Sequence, residues 1–147
     1  MAVYIQFFLL LTLLITASVI DIKRREIPDK INIMIALTGL LHFKPVNLAG
    51  ILIALPFLAT AIRCKGRLGG GDIKFMAAAG LVLGFDMAVF AAITGLTASL
   101  IYCAVRHLIR IIRRKTEKKQ STAFPLAPFL SLGCMTAFLL QNGGLIL

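Results

Sequence analysis

RLGGGDIKFMAAAGLVLGF, residues 67–85, sets two basic residues, three consecutive glycines and an aspartate around the start of a short apolar run, Phe75 to Phe85. Whether that run crosses a membrane decides the fold, because it fixes the side on which every later residue lies. The chain around it is 59% hydrophobic and 15% charged, too apolar for an ordinary soluble domain. Four stretches carry no Asp, Glu, Lys or Arg: 1–20, 46–62, 87–105 and 120–147. Each is near or above the length needed to span hydrocarbon. Two shorter runs remain, 31–43 and 75–85. A secretory signal would begin with basic residues, whereas here they follow the first apolar stretch, so that stretch reads as an uncleaved span.

Charge placement settles the two short runs. Every lysine and arginine except Lys44 falls at 23–30, 63–74 or 106–119. With only the four long spans, the second of these clusters would lie across the membrane from the other two, against the cytoplasmic preference of basic loops. The short runs therefore cross too. The sequence predicts a single all-α, polytopic membrane domain, residues 1–147, with six spans at about 3–21, 30–44, 46–62, 73–85, 87–105 and 122–141. Both termini lie outside and the three basic loops lie in the cytoplasm. The net charge of +10 thus reads as orientation and attraction to anionic lipid, with no nucleic-acid partner, since no basic soluble face or recognition motif accompanies it. The segment RHLIRIIRRKTEKK, 106–119, continues span five as an amphipathic strip along the inner surface. Cys64, Cys103 and Cys134 form no CxxC pair and read as packing residues, so no metal and no disulfide framework is expected.

An ionised aspartate at mid-bilayer costs about 2.5–3.5 kcal/mol, so each acid near a span needs a reason. Asp21 ends span one and Asp72 opens span four, both at the cytoplasmic face, where they could converge. Asp29 follows Ile27-Pro28 and suits an N-cap of span two; Asp86 suits the start of span five on the outer side. Glu26 and Glu117 lie among basic residues as solvated partners. The run Gly69-Gly70-Gly71 lets another backbone approach Asp72 closely and also loosens the loop. No Gly-Lys-Ser/Thr follows it, so it is not a phosphate loop. A paired-aspartate site and a loop with a helix cap both remain open on these residues alone.

The pair DIKRREIPDKIN, 21–32, and GGGDIKF, 69–75, resembles the type IV prepilin peptidase family of membrane aspartic proteases, whose Gly-x-Gly-Asp motif is matched by Gly69, Gly70, Gly71 and Asp72. The similarity extends to Ile27-Pro28, to Lys74, and to FPLAPFLSLG in the last span, where Pro125 and Pro128 are possible substrate contacts along with Asp29. The family often has Asn where Asp29 stands. The resemblance implies Asp21 and Asp72 as the catalytic pair, no cofactor, and a prepilin substrate with a short basic leader, cut at the inner membrane surface beside the pilus assembly machinery. It is nearest to short, peptidase-only members such as those of tight-adherence (Flp-like) pili; no cysteine-rich segment and no methyl transfer are expected. Helix dipoles would make Asp72, at a helix start, the initial base and Asp21, near a helix end, the acid. A non-enzymatic transporter or assembly scaffold, with the two acids binding a proton or ion, is the competing reading. A presenilin-type protease would require a Tyr-Asp pair, which does not occur.

Overall fold

The computed structural model describes residues 2–63, 69–112 and 125–146, and among them it is all-helical. Helix α1 (Ala2–Arg24) contains neither Gly nor Pro, and ends with Lys23 and Arg24 where the dipole favours cations. Arg25 then adopts φ 57°, its amide bonded back to the Asp21 carbonyl, and Pro28 prevents α1 from continuing through Ile27. Helix α2 (Asp29–Leu40) starts directly after Pro28. A 3-10 segment, Pro45–Ile53, leads into α3 (Ala54–Arg63), whose Pro56 sits in the first turn, where a missing amide is harmless. Helices α4 (Gly70–Leu83), α5 (Phe85–Ile112) and α6 (Ala127–Ile146) complete the chain.

Six rods result, because the 3-10 segment and α3 act as one. Gln6 Nε2 bonds the Thr38 carbonyl at one end of the bundle, and Gln141 Nε2 bonds the Leu83 carbonyl at the same end. At the other end the C-terminus of α1 meets the N-termini of α2, α4 and α6. Three of the rods, Val3–Arg24, Pro45–Arg63 and Phe85–Ile112, are long and apolar enough to cross a membrane. The outer surface is correspondingly greasy, with Phe8, Ile33, Leu100 and Leu132 all exposed. The inside combines large side chains, among them Leu10, Ile35, Phe75 and Phe138, with alanines and with glycines at the closest helix approaches, as in membrane bundles, where close backbone approach replaces the hydrophobic effect.

Helix α4 lies at the centre and touches α2, the 3-10 segment, α3, α5 and α6. Phe75, Met76, Ala79 and Leu83 on it are almost completely buried. Its burial by neighbouring protein explains why a short helix suffices there. The closest approach is between Gly80 of α4 and Gly50 of the 3-10 segment: a Cβ on either would collide with the other's backbone. Helices α5 and α6 cross in the same manner at Gly95 and Gly133. Ser18 Oγ donates across the bundle to Ser131 Oγ at 2.9 Å, joining α1 to α6.

Several expected boundaries shift. Helix α4 begins at Gly70 rather than after Asp72, so two of the three glycines are helical. Helix α5 runs on to Ile112, as the amphipathic strip implied, while 113–119 and Glu117 lie outside the described residues. Asp29 is the first residue of α2 and not its cap; Pro28 holds that position without a side-chain bond. Cys134 is a core residue, but Cys103 is exposed on α5 and packs no interior, and Cys64 lies outside the described residues. Gly80→Val should destabilise the fold by about 1–3 kcal/mol or more through overpacking, whereas Gly143→Ala, which meets nothing within 4 Å, should not lower stability. Thermal melts in detergent compare the two.

Candidate active site

Asp21 lies in the last turn of α1 and Asp72 in the first turn of α4, far apart in sequence and on helices that do not pack directly on each other, yet both face the same space. They line one cavity of about 340 Å³ together with Arg25, Glu26, Ile27 and the three glycines 69–71. The two carboxyl groups are close enough for their charges to interact. Both residues are at most 9% exposed, yet they sit at the end of the bundle where the bend after α1 and the glycine run leave an opening.

Each wall of the cavity has a local cause. The left-handed turn at Arg25 swings Glu26 and Ile27 back over the end of α1. Ile27 is buried against Gly71, where an added Cβ would lie 3.1 Å from Ile27 N and Cβ. Contact this tight admits only glycine without a shift of the chain. Gly69 caps α4 with extended backbone, and the Asp72 amide donates to its carbonyl at 3.1 Å. Lys74, two residues further and so on the opposite side of α4, points away from the cavity and bonds both oxygens of Asp29 at 2.7 and 2.8 Å, tying α4 to α2.

The two acids differ in their hydrogen bonding. Asp21 Oδ2 accepts the Ala127 amide at 3.0 Å, the first N–H of α6. Asp72 Oδ1 is buried with no partner among the described residues. Helices α1 and α4 are not the only ones that bear on the two acids: the N-terminus of α6 faces Asp21 and donates its first amide, that of Ala127, to it. A donated amide and a helix N-terminus favour negative charge at Asp21, a contribution opposite in sign to that of the C-terminal end of α1 on which it stands.

Of the other sequence candidates, Ile27 and Gly69–Gly71 line the cavity, whereas Pro28, Asp29 and Lys74 do not; Pro28 precedes α2, and Asp29 and Lys74 line a separate groove. Pro128 is the second residue of α6 and lines a separate apolar groove against α1 with Leu14, Ser18 and Ser131; Pro125 is half-buried just before α6. Neither proline kinks a helix interior. Asp86 lies in the first turn of α5. Arg25, Glu26 and the Leu126-Ala127 backbone are site components that sequence reasoning missed. The prolines bracketing Leu126-Ala127 were the available signal, since they mark the start of a helix whose first amides need an acceptor.

The profile described as the type IV leader peptidase family matches residues 8–104, about two thirds of the chain and both acids. The chain belongs to that family. It is 30% identical over 148 aligned residues to the prepilin leader peptidase/N-methyltransferase of Pectobacterium carotovorum subsp. carotovorum, an alignment that covers 85% of this chain and 47% of that protein. The chain thus spans about half the length of this curated relative. No solved structure gives a significant match.

Gly71→Ala should lower the melting temperature by several degrees, because Ile27 must move, whereas Gly70→Ala, which meets nothing within 4 Å, should be tolerated. Circular-dichroism melts of the purified variants check this.

Proposed function

We propose that this protein is an aspartic endopeptidase that removes the leader from type IV prepilins. The observation carrying the reading is the shared cavity of Asp21 and Asp72, two buried acids at the end of the bundle that also holds the basic residues of α1, α3 and α5. By the positive-inside tendency that end faces the cytoplasm, with all six rods crossing and both termini outside. Peptide-bond hydrolysis needs a base for water and an acid for the carbonyl oxygen, and two carboxyls sharing one proton supply both. Asp21, holding the Ala127 amide, is the anion that takes a proton from water. Asp72, without a donor on Oδ1 among the described residues, holds the shared proton and gives it to the scissile carbonyl. No acyl-enzyme forms. The helical part of the substrate stays in the bilayer, and its basic leader meets Glu26 at the cavity mouth. Similarity to short, peptidase-only members makes a Flp-like prepilin the substrate to test.

Co-expression with a prepilin, read as precursor length on a gel, tests the reading. Asp21→Asn and Asp72→Asn should each insert normally and reduce cleavage by about 10²–10⁴-fold or more, while Asp86→Ala should cleave as wild type does. Normal processing by both Asp variants would overturn the reading.

The pH profile of cleavage should be bell-shaped with two limbs belonging to the pair. Activity falls at low pH as the base Asp21 becomes protonated and falls at high pH as Asp72 loses its proton. A single-limbed profile for the wild type, measured in reconstituted vesicles, would contradict a shared-proton dyad.

A further inference from the structure

A groove of about 420 Å³, larger than the cavity of about 340 Å³ between the acids, runs between α2, α4 and the 3-10 segment, with apolar walls formed by Ile33, Ala36, Ile51, Ala78 and Leu81. At its polar end stand Asp29, Asn32 and Lys74. The Asp29–Lys74 pair is more than half exposed on both sides, 63% and 58%. It lies two residues from Asp72 along α4, at the bundle end assigned above to the inner membrane surface, so the groove runs from headgroup depth into hydrocarbon.

The hydrogen-bonding inventory of that end is lopsided. Lys74 has three N–H donors and uses two on Asp29. Each Asp29 oxygen has accepted one of those bonds and keeps further lone pairs. Just below, Asn32 is 5% exposed; its Nδ2 reaches the Gly71 carbonyl only at 3.5 Å and its Oδ1 has no partner among the described residues. The rim therefore offers surplus acceptors and one spare cationic donor, with the pair itself electrically neutral. A complementary ligand carries several N–H donors, an anionic acceptor beside them, little net charge, and an apolar tail.

We infer that this groove is a binding site for an aminophospholipid, with the headgroup ammonium on Asp29, the phosphate on Lys74 and an acyl chain between Ile33, Ala36 and Leu81. A choline headgroup has the same charges but no N–H to donate. A glycerol headgroup leaves the lipid net negative beside the Asp29 carboxylate. The first leaves the Asp29 lone pairs without a hydrogen to accept, and the second lacks the cation.

The test is lipid retention by the purified full chain in detergent, titrated with phosphatidylethanolamine, phosphatidylcholine or phosphatidylglycerol of identical acyl chains and read by native mass spectrometry. Retention of phosphatidylethanolamine should exceed that of the other two about fivefold, the value of roughly one net hydrogen bond. Asp29→Asn, a change at an exposed pair that contributes little to folding, should bring phosphatidylethanolamine down to the phosphatidylcholine level. Ala36→Phe should reduce retention of all three by filling the groove. Equal retention of the three lipids by the wild type would overturn the site. So would strongest retention of phosphatidylglycerol, which would signal the chain's overall positive charge, and so would an unchanged preference in Asp29→Asn. A wild-type dimer made monomeric by Ala36→Phe would assign the groove to a second copy instead. None of these readouts depends on peptidase activity.

Discussion

The close packing of α4 against its neighbours is the constraint on which the rest of the molecule depends. A membrane bundle gains nothing from hiding apolar surface from lipid, so helices must approach until dispersion and hydrogen bonds hold them. Gly80 against Gly50, and Gly71 against Ile27, let α4 enter the middle of the bundle at backbone distance. Once there, α4 can be short, since protein surrounds it. Its first turn then opens toward the end of α1, and Asp72 comes to share a cavity with Asp21.

That arrangement makes structure and chemistry hard to separate at the glycine run. Gly69 and Gly70 leave space beside the acids, while Gly71 has none to give because Ile27 fills it. The same three residues therefore do two jobs: the outer ones keep the cavity open and the inner one seats the bend between α1 and α2. The left-handed turn at Arg25 completes that bend and brings one basic and one acidic side chain to the cavity wall. Residues first read as a lipid-facing basic loop thus include part of the site.

Helix α6 has a role at the site that its sequence position conceals. The Ala127 amide, donated to Asp21, distinguishes two carboxyl groups that are otherwise similar in burial. Asp72 sits in the first turn of its own helix and would be the natural anion by that criterion alone. Among the described residues Asp72 Oδ1 has no partner, whereas Asp21 Oδ2 receives an amide from α6. The hydrogen bond crosses more than a hundred residues, and no local pattern foretells it.

By itself, the sequence determined the helical class, the membrane setting, the clustering of basic residues at one end and the choice of Asp21 and Asp72 as the acids that line one cavity, because apolar run length, charge placement and a Gly-Gly-Gly-Asp stretch are local properties. It also located the six rods, although not their ends: proline and glycine mark where helices can stop, while packing decides where they do. Tertiary structure alone decided which groups meet. It brought Lys74 to Asp29 and away from the acids, placed Pro128 in another groove, put Arg25 and Glu26 on the cavity wall, and aimed the start of α6 at Asp21. Those outcomes depend on how six rods pack around α4, and such long-range contacts leave no periodic trace in the chain that forms them.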